Sequence, residues 1–454
     1  MKLNRRNFFG LAASAGAFTL SGCAGFSAIT SSRSPSGKLR IGTIGCGGQG
    51  SYDVKVMATH KRVEMAAFCD VDRKALDRIG KLHPKAKLYQ GWRDMLDRED
   101  LDAVIVATPD HSHAIIMSEV MRRGINLYAQ KPLCRTFEEN RMLESLAASS
   151  GVVTQLGTQI TPWECDRHSE HIIRNGQLGE ITKVWIFTNT GVYHKLLDRT
   201  RKIVNTKAPS TLDWNGWLEG APYREYADEI YHPFRWRVWR DYGSGWLGDM
   251  ASHLFSPVWL GMDLGSATRP IWAKAEVMDD GWTEAMKAQF LPQVAHITWG
   301  FPGVKATGGK PFEVEWFDGP KNWKTPVPAQ FLPPKFLEEL AAKTPLGSLP
   351  IQGRVVEGTK GIMISTHFNV APVVIKRGKG ASNDPKFVAN SDGTFKTALP
   401  FLEPIPNHYH EFADCCLDGG TPMSNLGWTT KLTDTIILGN AAIAKPGEKV
   451  FFKA

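Results

Sequence analysis

The sequence predicts an α/β protein that opens with a doubly wound parallel sheet and continues into a second, larger domain. Three observations carry this. Between Leu39 and Leu156, short apolar runs alternate with stretches of helical apolar spacing. A glycine-rich turn, Gly45-Cys46-Gly47-Gly48-Gln49-Gly50, joins the first run to the first helical stretch. The 454 residues are 42% hydrophobic and 22% charged, enough for two or three packed domains, which excludes wholesale disorder and a disulfide-dense mini-protein.

The first element is an address. Residues 1–23 read as an export signal and are set apart from the fold. Arg5-Arg6-Asn7-Phe8-Phe9 is a twin-arginine pattern. The apolar run after it, Phe8 to Leu20, is shorter than the roughly 20 residues that span a bilayer. It ends in Leu20-Ser21-Gly22-Cys23, which resembles a bacterial lipoprotein cleavage box with Cys23 as the acylated residue. The expectation is a periplasmic protein, membrane-anchored only through lipid on Cys23. Residues 24–37 are rich in Ser, Gly and small residues and suit a flexible tether. Lys2, Arg5 and Arg6 supply three of the eight excess positive charges, and no Lys/Arg block follows, so a nucleic-acid partner is not expected. Twin-arginine export carries folded proteins, so a nucleotide cofactor should be held tightly and regenerated in place. Cys46, Cys69, Cys134, Cys165, Cys415 and Cys416 form no CxxC or zinc spacing, and we expect neither a disulfide framework nor a metal.

Residues 38–157 form the predicted dinucleotide-binding domain. Leu39–Ile44 is a strand that runs into the glycine turn, a helix passes through Val54, Met57 and Ala58, and a second strand, Val63 to Cys69, ends at Asp70. Strand, GxGxxG, helix, strand, acid is the order of a Rossmann dinucleotide site. Gly45 allows the tight turn, Gly47 the approach of a pyrophosphate, and Gly50 close helix–strand packing, with Gly48 and Gln49 in the same loop. Asp70 accepts from ribose hydroxyls and repels a 2′-phosphate, which favours NAD over NADP, with Arg73 nearby as the counter-indication. Ala103 to Val106, Asn126 to Ala129 and Val152 to Leu156 read as further strands, and Ala114 to Arg123 and Phe137 to Ser149 as helices. Thr108 and Lys131 follow strand ends, where ligands of such sheets bind.

These residues resemble the glucose–fructose oxidoreductase/inositol dehydrogenase (Gfo/Idh/MocA) family. The likeness rests on the Gly45–Gly50 loop, Cys69-Asp70, Ala107-Thr108-Pro109 with His113, Gln130-Lys131-Pro132 and Gly248-Asp249-Met250-Ala251-Ser252-His253. It runs over most of the chain after Lys38 and is strongest to exported relatives with a twin-arginine signal. The resemblance implies NAD in the first domain, with Thr108, Pro109, His113 and Lys131 at the cofactor. It implies a second domain, residues 158–454, with a large, mostly antiparallel open sheet that serves homo-oligomer contacts in a dimer or tetramer. The C-terminal helices are expected to pack back on the first domain. The family usually has Glu where Gln130 stands, a departure that removes a charge beside the lysine.

For the chemistry, Lys131 is expected to polarise a substrate hydroxyl. Asp249 and His253 lie four apart in a helical segment, Leu247 to Leu260, and so share a face, with His253 as proton acceptor or shuttle and Asp249 as a hydroxyl acceptor or a partner that orients the site. Thirteen of 15 Trp fall between Trp163 and Trp323. Flat aromatic faces suit a pyranose, although any single Trp is better read as core. Tyr193, His232, Arg235, Trp236 and Arg237 are placed around the substrate. His168 and His171 are read as surface or core. Ile181 to Thr190, Ile271 to Val277, Val294 to Trp299, Phe312 to Phe317, Gly361 to Ile364 and Val373 to Ile375 read as strands. Pro320 to Pro350 reads as an insertion with a helix near Phe336 to Ala342. His408 to Leu417 and Thr430 to Ala444 read as helices. The expected function is a periplasmic NAD-dependent oxidoreductase acting on a ring hydroxyl, C3 in the first instance, of a sugar or glycoside. Two alternatives stay open: a redox-neutral NAD-dependent hydrolase or lyase working through a transient ketosugar, and a non-catalytic sugar-binding lipoprotein.

Overall fold

The computed structural model describes residues 37–159, 164–188, 202–265, 268–278, 281, 283–292, 294–319, 327–344, 346–366, 372–377, 385–387 and 407–453. The export signal, Cys23 and most of the tether lie outside these residues.

The first domain is built from β1 (Leu39–Ile44), α1 (Gly48–Met57), β2 (Val63–Cys69), α2 (Arg73–Leu82), β3 (Lys87–Tyr89), α3 (Trp92–Arg98), β4 (Ala103–Val106), α4 (Asp110–Arg122), β5 (Asn126–Gln130), α5 (Phe137–Ser149) and β6 (Thr154–Gly157). The strands form one parallel sheet in the order β3-β2-β1-β4-β5-β6. Chain order reverses between β1 and β4, the switch point beyond which such sheets bind ligands. All four residues of β4 are buried, as a central parallel strand covered on both faces requires.

The second domain contains α6 (Glu164–Arg174), β7 (Ile181–Thr188), α7 (Trp214–Leu218), α8 (Gly245–Gly261), β8 (Trp272–Val277), α9 (Glu284–Gln289), β9 (Ala295–Phe301), β10 (Phe312–Phe317), α10 (Lys335–Ala342), β11 (Gln352–Gly358), β12 (Gly361–Thr366), β13 (Val373–Arg377), β14 (Pro385–Phe387), α11 (His408–Asp418), α12 (Leu426–Ile443) and β15 (Lys449–Phe451). Its nine strands run β14-β13-β12-β11-β7-β10-β9-β8-β15, antiparallel except for the β7–β10 pair. On one face, α8 is buried nearly all round among Ile186, Ile297, Trp299 and Trp316. On the other, Leu337 and Ala341 of α10 cover Phe187, Val355 and Ile364.

The last two helices return to the first domain. Tyr409, Phe412 and Cys416 of α11 join the core of Leu39, Ile41, Val54 and Met57. Leu426 and Ile437 of α12 enter the cluster around β4 and β5, while its Leu432 and Leu438 belong to the second domain's core. This helix is the shared spine of the two domains.

Several elements depart from expectation. The region between Asp70 and Ala103 holds α2, β3 and α3, none of them foreseen. β3 has only three residues, none buried, so no alternation marks it. α4 begins at Asp110, because Asp110, His111, Ser112 and His113 are polar residues buried in its first turn. β11 is also unforeseen, since Gln352, Gly353 and Arg354 give its first half no apolar pattern. Gly353 is required there, since a Cβ would lie 2.3 Å from the Ser365 carbonyl oxygen on the paired strand.

Candidate active site

The glycine turn has the space each glycine was expected to provide. Gly45 sits at φ +89°, and a Cβ there would come within 2.6 Å of the Ala107 carbonyl oxygen. At Gly50 a Cβ would lie 2.0 Å from the Gly45 carbonyl oxygen, so only glycine lets α1 close onto the turn. Gly47 and Gly48 have nothing within 4 Å of a Cβ; that open side faces a cleft of about 620 Å³. Gly47, Gly48 and Gln49, at the start of α1, line that space, and the helix's first N–H groups have no intrahelical partner there. At the end of β2, Asp70 accepts hydrogen bonds from the Cys46 amide at 2.7 Å and the Asp72 amide at 2.9 Å. Burial pushes its carboxyl up, against those two bonds.

The middle of the cleft is formed by the ends of β4 and β5. Thr108, Pro109 and Lys131 line it. His113 does not. Its ring is 1% exposed, with Nδ1 2.8 Å from the Pro132 carbonyl and Nε2 2.8 Å from the Thr108 carbonyl. It therefore fastens the β4–α4 turn to the turn after β5 and corrects the expectation that it meets the cofactor. Gln130 does line the cleft, but its amide turns inward, where Nε2 donates to Asp53 Oδ2 at 2.7 Å. Gln49 Nε2 and the Tyr409 hydroxyl donate to Asp53 Oδ1 at 2.8 and 2.7 Å. Burial pushes the Asp53 carboxyl up to about 6, against these three bonds and the charge of Lys131. A carboxylate is thus present beneath the lysine after all, moved from strand β5 to helix α1.

Beyond that point, Lys131 Nζ and Asp249 Oδ1 form an ion pair across the domain boundary. Burial alone would raise the Asp249 carboxyl; Lys131 and Arg237 together outweigh it and hold it well below the usual carboxylate range. His253 lies one turn further along α8, 6% exposed and not on the cleft wall. Its Nδ1 is 2.5 Å from the Thr158 carbonyl, which can only accept, so Nδ1 carries a proton. Asp110, which sequence reasoning passed over, also lines this end; burial raises its carboxyl, with His113 and Arg237 opposing. Two carboxyl groups with opposite shifts thus share the space.

The residues proposed around the substrate separate. Trp236 and Arg237 line the cleft with Asp249, and the Arg237 guanidinium stacks 4.3 Å over Trp236 and 4.1 Å over Phe234. His232 lies at the opposite end, its Nε2 3.7 Å from Asp72 Oδ2, because its loop packs against the β2–α2 turn. Arg235 is half-buried and off the cleft wall. Tyr193 lies outside the described residues. Most described tryptophans are core: Trp259, Trp299 and Trp316 are at most 1% exposed. Among the described residues of the second domain, only Trp217 and Trp236 bring an indole to the cleft, and Arg237 already covers one ring face of Trp236. Gly216, Trp217 and Glu219, which no motif announced, wall its far end with Trp92 and Arg78.

A dinucleotide fits this arrangement. The Gly47–Gly48 face is open where a pyrophosphate needs close backbone approach, Asp70 stands at the ribose position, and Thr108 and Lys131 extend the cleft towards Asp249. Comparison with known proteins agrees. The profile of an oxidoreductase family with an NAD-binding Rossmann fold matches residues 39–158, and the profile of that family's C-terminal alpha/beta domain matches residues 166–281. A glycosyl hydrolase family 109 protein of Shewanella baltica is 32% identical over 161 residues, covering 30% of this chain and 35% of the relative. This chain therefore spans about a third of that relative's length. Among solved structures, the WlbA dehydrogenase from Bordetella pertussis, in complex with NADH and UDP-GlcNAcA, aligns over 92% of this chain and 99% of its own (TM-score 0.59, 15% identity). An inositol dehydrogenase homolog from Azotobacter vinelandii, complexed with NADH and myo-inositol, aligns over 91% and 98% (TM-score 0.58, 15% identity). At these identities the structures speak for the fold.

Proposed function

The chain belongs to the Gfo/Idh/MocA oxidoreductase family, with an NAD-binding Rossmann domain, and from that premise we propose that it transfers hydride between NAD and a ring hydroxyl of a sugar or glycoside. The observation that carries this is the Lys131–Asp249 pair at the end of the cleft that begins at the glycine turn. NAD, when bound, supplies the hydride acceptor; the chain supplies everything else. Gly45, Gly47, Gly48, Gln49 and Gly50 cradle the pyrophosphate, Asp70 holds the ribose, and Thr108 and Pro109 line the path to the reacting end. Lys131 offers N–H donors to the substrate oxygen. Asp249 fixes the ammonium in place and accepts from a neighbouring hydroxyl. The released proton leaves the cleft through Asp249 or a bound water and ends on His253, one turn behind the cleft wall, whose Nδ1 is held by the Thr158 carbonyl. Trp236 and Arg237 bound the substrate.

C3 is the proposed position, because a ketone there acidifies the C2 proton and labilises the glycosidic bond. That chemistry leads to a second reading, a redox-neutral glycoside cleavage, which the glycosyl hydrolase family 109 relatives support. The protein is further proposed to work in the periplasm, anchored through Cys23, with tightly held NAD, as a homo-oligomer. Incubating purified protein with a glycoside panel separates the readings. An accumulated ketosugar with absorbance rising at 340 nm supports net oxidation. A free reducing sugar without net NADH supports cleavage. Neither product, with sugar bound and NAD intact, leaves the binding-protein alternative and overturns both catalytic readings.

A further inference from the structure

We propose that residues 211–219 of the second domain are a strap that completes the adenosine end of the NAD site and retains the dinucleotide there. This rests on the NAD reading of the cleft, but not on the identity of any substrate. The strap is laid directly on the turn that carries the ribose-binding acid. Leu212 forms an antiparallel bridge with Asp72. The Arg73 amide donates to the Thr211 carbonyl at 2.8 Å, and the Asp213 amide donates to the Val71 carbonyl at 3.0 Å. Gln90 Nε2 reaches both the Val71 and Thr211 carbonyls, at 3.2 and 3.4 Å.

Further along, the strap turns into the cleft. The Asp213 side chain accepts from the Gly216 amide and starts the short helix α7. His111 Nε2 donates to the Trp217 carbonyl at 2.8 Å, tying α7 to the first turn of α4. Glu219 then sits at φ +32°, a left-handed conformation that a non-glycine residue adopts only where its surroundings impose it. That turn aims its carboxylate at the first domain, where Trp92 Nε1 donates to Oε2 at 3.2 Å and Arg93 Nη2 to Oε1 at 2.9 Å.

Two properties follow. The wall that faces Asp70 across the adenosine end comes from the other domain, so a dinucleotide cannot leave sideways without parting the bridge and the Glu219 contacts. The strap's apolar side is also anchored, since Leu212, Trp214, Trp217 and Leu218 belong to the second domain's core. Lifting it means exposing that core. Exchange of NAD should therefore be slow, and limited by opening of the strap.

The test uses the full-length protein as purified, with its own nucleotide. Exchange against excess ¹⁴C-labelled NAD is followed by rapid filtration. The expected half-life is hours, shortened about 10-fold or more in Glu219→Ala and Arg93→Ala, because each removes a charge-assisted hydrogen bond. Hydrogen exchange of the Arg73 and Asp213 amides in the unmutated protein is the second readout, and NAD should slow it. Wild-type exchange complete within a minute overturns the proposal, as do variants that fold but exchange no faster, or amides that NAD does not protect. Slow exchange without any reaction on sugars would overturn the proposed function and leave the strap standing. Fast exchange with sugar oxidation would do the reverse.

Discussion

Asp53→Asn tests the buried network beneath Lys131. Asp53 is fully buried, and its carboxyl titrates near 6 in the folded protein against 3.8 as the ordinary value. Burial is the larger influence, and the three donors from Gln49, Tyr409 and Gln130 recover only part of its cost. Because the folded-state value is raised, the folded protein holds this proton at a pH where the unfolded chain has released it. The resulting stabilisation is complete below about pH 4 and is lost as pH rises through about 6. At 1.36 kcal/mol per pH unit, the swing attributable to Asp53 is roughly 3 kcal/mol. Asparagine does not titrate, so it should remove the swing. Urea unfolding of both proteins from pH 4 to pH 7 provides the assay. The stability difference, variant minus wild type, should move in the variant's favour by ~3 kcal/mol from low to high pH. A difference that stays flat would refute the assignment, whatever its absolute size. The asparagine side chain also presents an amide N–H₂ to donors, so a constant offset against the variant is expected on top of the slope.

Other perturbations address the rest of the site. Lys131→Ala should lower turnover by about 10² to 10⁴-fold while the protein keeps its NAD, measured by product formation and by nucleotide content after heat denaturation. Gly50→Ala drives a methyl group into the Gly45 carbonyl 2.0 Å away; it should strip the purified protein of nucleotide and cost about 1–3 kcal/mol in denaturant melts. Cys23→Ala should move the protein from the membrane fraction to the soluble periplasm of its host; unchanged fractionation would rule out the lipid anchor.

The legible parts of this molecule are those where local sequence and tertiary context agree. The strand–glycine turn–helix–strand–acid order places Gly45, Gly50 and Asp70 by backbone logic alone, and β1, β2, β4 and α5 carry strong local patterns. The i, i+4 spacing of Asp249 and His253 placed them on one helix, but did not say that Asp249 faces the cleft while His253 is tucked behind it. Only packing decides that, because α8 is buried on nearly every side. Asp53 was invisible for a related reason. A lone acid in a helix reads as solvated until Gln130 and Tyr409, far apart in the chain, converge on it. His232 went to the wrong end because its neighbours Trp236 and Arg237 suggested one continuous surface, whereas the loop turns between them and brings His232 to Asp72. Glu219 and Thr211 gave no signal, since their roles exist only once the second domain is laid on the first.

Every role proposed for the site depends on the direction and seat of the dinucleotide. A crystal structure of the protein purified with its native nucleotide tests it most directly. The pyrophosphate should lie over Gly47 and Gly48, the adenosine ribose on Asp70 beneath residues 211–219, and the nicotinamide ring beside Lys131 and Asp249. A nucleotide lying elsewhere, or with its nicotinamide at Asp70, would contradict it.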